Sequence, residues 1–111
     1  MASFYAQYLM ERTDDKIIES EKGFATYRYL NEGKTVYVID VYVQPEYRRS
    51  HAATDFVNEI ARIAKIAGCV EMLGTVVPST KNATLSIKAL LVYDMTLQSA
   101  ADNLIIFRKE I

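Results

Sequence analysis

The stretch TVYVIDVYVQPEYRRSHAATDFVNEIARIAKIAG, residues 35–68, decides the fold. Its first part, Thr35 to Val43, is rich in Val, Tyr and Ile on both alternating faces, the pattern of a strand covered on two sides. Pro45 ends the run because it has no N–H to give to a ladder. After Arg48, Arg49 and Ser50 the period changes. Ala53, Phe56, Val57, Ile60, Ala61, Ala64 and Ala67 fall on one helical stripe, with Asp55, Asn58, Glu59, Arg62 and Lys65 opposite. Asp55 near the start and Lys65 near the end both suit the helix dipole. Gly68 offers a left-handed cap, and Cys69 to Val77, closed by Pro78, reads as a second buried strand. A strand, a helix and a strand in succession imply a parallel pair.

Outward from this unit the pattern is made of shorter elements. Residues 3–12 place Phe4, Tyr5, Tyr8 and Leu9 at helical spacing, and Lys16 to Ser20 is a brief β-prone run. Glu21-Lys22-Gly23 turns the chain into an alternating run from Phe24 to Leu30, and Asn31-Glu32-Gly33-Lys34 turns it again. Beyond Pro78, Ser79 or Thr80 caps an expected helix whose face includes Ala83, Ile87, Leu90 and Leu91. Two β-prone runs follow, Asp94 to Gln98 and Leu104 to Arg108, separated by Ala100 to Asn103. The fold class expected is α/β (α+β): a single domain over residues 1–111, with a mixed sheet and helices on both faces. The last run, apolar on both sides, is expected at the sheet's edge, where it would favour a homodimer.

Composition narrows the function. Thirteen basic residues against fourteen acidic ones argue against a nucleic-acid-coating role. The single cysteine, Cys69, and single histidine, His51, leave no disulfide and too few ligands for a zinc site, so no metal is expected. A lone thiol, no signal-peptide pattern and no long apolar run point to a cytoplasmic protein with no membrane partner.

The order of elements, with Val43-Gln44-Pro45-Glu46-Tyr47-Arg48 as a bend and Arg48 to Ala53 as a helix-opening loop, resembles the GNAT superfamily of N-acetyltransferases, truncated at the N-terminus by one strand and one helix. The resemblance implies acetyl-CoA as co-substrate and transfer of its acetyl group to a primary amine of a small molecule or protein. The implied cofactor residues are Tyr42, Val43, Arg48, Arg49, Ser50, His51, Ala52, Ala53 and Asn82. His51 departs from the family pattern, which has glycine there. Two outcomes are open: the ring points away and the loop's N–H groups still cradle phosphate, or the ring blocks them.

The resemblance also implies a base and an acid. Asp40 matches a carboxylate on the central strand; its plainer reading is a pleat-facing residue with a local partner. The family's tyrosine position falls on Ala89. Tyr93, one turn later, is the substitute, against the plainer reading that it packs on the sheet. Cys69 reads as a small buried apolar group. The alternative function is a GNAT-shaped binding protein with little or no catalysis, working through a macromolecular partner.

Overall fold

A computed structural model describes residues 3–48, 50–81, 87, 90–91 and 93–111. The chain runs through helix α1 (Phe4–Arg12), strands β1 (Lys16–Ser20), β2 (Gly23–Leu30) and β3 (Thr35–Val43), a 3-10 turn over Pro45–Tyr47, helix α2 (Ala52–Ile66), and strands β4 (Glu71–Val76), β5 (Thr96–Ala101) and β6 (Leu104–Glu110). Ile87, Leu90 and Leu91 are helical; Ala83 and Ala89 lie outside the described residues. Among the described residues no helix is long and apolar enough to cross a membrane.

The strands form one mixed sheet in the order β1-β2-β3-β4-β6-β5. Only β3 and β4 are parallel, as a crossover through α2 requires. Hairpins make β1–β2, β2–β3 and β5–β6 antiparallel, and β6 also pairs antiparallel with β4, which is not its neighbour in the chain. The β5–β6 turn is Asp102-Asn103, both at positive φ (51° and 60°), the conformation that matches strand twist in a two-residue hairpin. Ala100 and Ala101, expected in the connection, therefore belong to β5.

Helices lie on both faces. Phe56, Ile60 and Ala64 of α2 pack with Ala25, Tyr27, Val36 and Met72 of the sheet, and Ile87 and Leu90 join this core. Ile60, Met72 and Val36 are fully buried, each stabilising the fold by roughly 1.5–3 kcal/mol. The other face carries α1, whose Tyr5 ring meets Phe24 edge-on at 5.4 Å. Ser3 caps α1 by accepting the Ala6 N–H.

Four expectations need correction. The buried stripe of α2 runs through Ala52, Phe56, Ile60 and Ala64, while Ala53 and Ala67 are exposed, because the helix meets the sheet along a four-residue repeat. Leu91 is exposed rather than on the buried face. Strand β3 is covered on both sides only in its first half, since α1 leans on β1; Asp40, Val41 and Tyr42 are exposed. The last strand is not an edge. Strand β6 pairs with β4 and β5, so its apolar residues serve the sheet, and Ile106 sits opposite both Thr75 and Ser99. The edge on this side of the sheet is β5, exposed at all six positions and free of charge.

A polar clamp ties three strands together on the face opposite α2. Arg108 of β6 donates from Nε to Glu71 of β4 at 2.6 Å, and the Thr35 hydroxyl of β3 donates to the other carboxylate oxygen at 3.0 Å. The Arg108 guanidinium first, and the Thr35 hydroxyl next, hold the Glu71 carboxyl below the usual range. A depressed folded-state value means stability that is present above the ordinary carboxylate range and lost as pH falls through the folded one. Urea midpoints taken between about pH 7 and about pH 3 are expected to fall less steeply in Glu71→Gln than in the parent chain.

Strand β2 begins at Gly23 because nothing larger fits. A Cβ there would lie 1.9 Å from the Tyr42 carbonyl oxygen, at a φ of +155°. Gly33, at φ +83°, has open space around its missing Cβ. Gly33→Ala is expected to cost about 1 kcal/mol from backbone conformation alone, and Gly23→Ala clearly more, by urea unfolding.

Candidate active site

The parting of β3 from β4 makes the site. Their parallel pairing runs from Thr35–Glu71 to Val38–Gly74 and stops there, although both strands continue. On its other side β3 carries a bulge: Thr26 pairs with Asp40 but Tyr27 pairs with Val38, leaving Ile39 as the extra residue. A bulge bends its strand and adds local twist, so the second half of β3 follows β2 while β4 stays with β6. The sheet splits into a fork whose closed end is the Val38–Gly74 pair.

Backbone direction along the free limb of β3 follows from two hydrogen bonds. The Asp40 N–H goes to the Thr26 hydroxyl on β2, and the Gln44 N–H to the Lys22 carbonyl on the same side. With a two-residue alternation, Tyr42 also points its N–H and carbonyl toward β2, while Val41 and Val43 present theirs to the fork. The Val43 carbonyl accepts the Arg48 Nε at 2.9 Å, which confirms its direction. The Arg48 guanidinium also lies 5.8 Å from the centre of the Tyr42 ring, itself stacked on Phe24.

At the mouth of the fork α2 begins. Its N-cap is His51, in the left-handed conformation at φ 63°, ψ 17°, with no side-chain cap. This is the backbone that glycine adopts freely and that costs an L-residue about 1–2 kcal/mol. The histidine keeps the glycine conformation, and its side chain is exposed. The first main-chain bond of the helix is from the Asp55 N–H to the His51 carbonyl, so Ala52, Ala53 and Thr54 come before the ladder starts. Their N–H groups sit at the positive end of the helix dipole. The Ser50 hydroxyl donates to the Tyr47 carbonyl at 2.6 Å and closes the preceding turn. Arg49 and Asn82 lie outside the described residues.

The bulge also sorts side chains. Val36 and Val38 face the α2 core, and Tyr37 faces the other way. Without the extra residue Asp40 would face α2; with it, Asp40 and Tyr42 join Tyr37 on the face opposite α2. Asp40 is exposed there. The Tyr37 hydroxyl reaches across the fork's closed end and shares a 2.8 Å hydrogen bond with the Thr75 hydroxyl of β4. The sequence does not single out Tyr37, because nothing in the spacing marks where two parallel strands stop pairing.

Tyr93 sits elsewhere. Its hydroxyl donates to Asn58 of α2 at 2.9 Å, and its ring lies under the Lys109 ammonium at 4.2 Å. Lys109 is opposite Met72, which is opposite Val36, so Tyr93 belongs to the paired side of the fork. It packs on the α2 core, and burial pushes its hydroxyl pKa up. Cys69 is buried, as expected of a small apolar group, and burial raises its thiol pKa. Among the described residues no cluster of side chains could hold a metal ion.

A family model described as the acetyltransferase (GNAT) family matches residues 5–85. The chain belongs to this family. It is 32% identical over 65 residues to the thialysine N-epsilon-acetyltransferase of Bos taurus, a match that covers 59% of this chain and 38% of the bovine protein. The matched part is thus well under half of that relative. Among solved structures it resembles a GNAT-family protein from Desulfovibrio desulfuricans, with a TM-score of 0.78 at 15% identity, covering 94% of this chain and 75% of the other. It also resembles the PaiA N-acetyltransferase of Thermoplasma acidophilum in complex with coenzyme A, with a TM-score of 0.76 at 14% identity, covering 95% and 66%. At such identities the likeness is one of fold.

His51→Gly is expected to stabilise the GNAT domain by up to about 1 kcal/mol, because relief of the left-handed conformation outweighs the extra chain entropy of glycine. Urea unfolding reads the change. A loss of stability instead would mean that the imidazole itself holds the loop.

Proposed function

We propose that the chain is an acetyl-CoA-dependent N-acetyltransferase acting on a primary amine. The observation that carries this reading is the fork between β3 and β4 with the uncapped start of α2 at its mouth. A forked parallel pair offers unpaired backbone groups to an extended amide-bearing chain, and a helix start offers N–H groups to a pyrophosphate. In this reading the phosphates lie against Ala52 and Ala53, with Arg48 and Ser50 beside them; Arg49 and Asn82, outside the described residues, belong to the same proposed cofactor set. The pantetheine runs along Val43 toward the closed end, where the thioester sits.

Catalysis then rests on positioning and on hydrogen bonding to the acetyl oxygen. The Val41 and Val43 N–H groups are the backbone donors facing the fork, and Tyr42 contributes its ring rather than its N–H. Asp40 lies on the open face, where an amine would approach, and is the group to take up the amine proton, directly or through water. The left-handed backbone at His51 supports an intact phosphate loop, since the chain has kept the conformation although it has lost the glycine.

The second reading, a binding protein without catalysis, is favoured by the histidine in the loop itself. Calorimetry separates the two. Acetyl-CoA is expected to bind, and Arg48→Ala to weaken it by about 1–3 kcal/mol through loss of a charge-assisted contact. No heat of binding with acetyl-CoA or CoA would defeat the transferase reading. Tight binding that ignores the Arg48 substitution would defeat the placement of the phosphates.

A further inference from the structure

The transferase reading leaves the leaving group without a proton donor. The position expected from the resemblance is Ala89, and the Tyr93 hydroxyl is committed to Asn58 on the paired side of the fork. A departing thiolate at the closed end needs an acid at the closed end. Among the described residues, the tyrosine whose hydroxyl spans that end is Tyr37, held at 2.8 Å from Thr75.

We propose that Tyr37 is the general acid of the reaction and that Thr75 is its positioning residue. This rests on the transferase reading above. Three features converge on it. Tyr37 immediately precedes Val38, the last β3 residue paired with β4, and Thr75 immediately follows Gly74, the last β4 residue so paired. Their hydrogen bond therefore crosses the two strands where they begin to part. The Ile39 bulge brings Asp40 onto the same face, so a base and an acid stand side by side at the end of the fork. Tyr37 is only partly buried, Thr75 is the hydrogen-bond partner of its hydroxyl, and Arg28 of β2 stands opposite it in the ladder. Tyr42 shares the face, but its ring is engaged by Phe24 and Arg48 farther along the limb.

The step balances as follows. The amine lone pair forms the C–N bond at the acetyl carbonyl carbon. The C–S bond breaks and its electron pair stays on sulfur, which takes the proton of the Tyr37 hydroxyl. The Thr75 hydroxyl turns its hydrogen toward the tyrosine oxygen and stabilises the charge left there. The proton lost by the amine nitrogen passes through Asp40 and water to that oxygen, so CoA leaves as a thiol and Tyr37 is restored. The Thr75 hydroxyl can do this because either member of the pair can donate.

The test measures thiol release from acetyl-CoA with a panel of primary amines, thialysine among them, and acetyl-CoA affinity by calorimetry. Tyr37→Phe keeps the ring and removes the proton; kcat is expected to fall about 100-fold with acetyl-CoA affinity unchanged within about twofold. Thr75→Val is expected to lower kcat about tenfold, and Thr75→Ser to restore it, which a purely packing role for the threonine would not do. A fall in kcat of less than about tenfold for Tyr37→Phe overturns the assignment. So does a fall that comes with loss of acetyl-CoA affinity, since Tyr37 would then shape the site rather than donate a proton. Absence of thiol release by the parent chain with every amine overturns the transferase reading, and this role with it.

Discussion

One extra residue in β3 governs much of what this chain can do. Ile39 has no partner in β2, and the strand that carries it must bend. The bend separates β3 from β4 after four paired residues and turns Asp40 and Tyr42 to the face that Tyr37 already occupies. A regular ladder would have closed the fork with main-chain hydrogen bonds and left no unpaired donors for a ligand. The rest of the fold holds this irregularity in place. Gly23 lets the Tyr42 carbonyl approach on one side, and Arg48 grips the Val43 carbonyl on the other. The Glu71–Arg108–Thr35 clamp ties β3, β4 and β6 together where the parallel pairing starts.

The second constraint lies in the helix-opening loop. A side chain at His51 sits in a conformation that favours glycine, and the cost is borne by the domain as a whole. Phe56, Ile60 and Ala64 anchor α2 to the sheet, so the position of its first turn is fixed by buried area rather than by the loop residues. This explains how the loop tolerates an unfavourable residue without moving. The phosphate role proposed for the loop would draw on main-chain N–H groups, which do not change with the side chain.

The two halves of the sheet do different work. Strands β1, β2 and β3 carry the free limb of the fork and the aromatic rings of Phe24 and Tyr42. Strands β4, β6 and β5 supply a stiff backing, with β6 paired on both edges and Phe107 buried. An apolar terminal strand reads in sequence as an exposed edge, and the return of β6 into the gap between β4 and β5 hides it. The edge on that side falls to β5, which is uncharged and exposed.

Local chemistry was legible from the sequence. Gly68, the Asn31–Gly33 turn, Pro45 and the repeat of α2 each report on a few neighbouring residues, and their elements were found close to their true bounds. The family resemblance of Val43 to Ala53 was likewise local, and the match of the GNAT family model over residues 5–85 bears it out. What only the tertiary structure decided depends on pairings between residues far apart in the chain. The bulge exists only as a mismatch between β2 and β3, and the place of β6 only as a choice between two edges. Tyr37 meets Thr75 across 38 residues of sequence. No periodicity records such a contact, because a side chain's face is set by its own strand while its partner is set by the strand beside it.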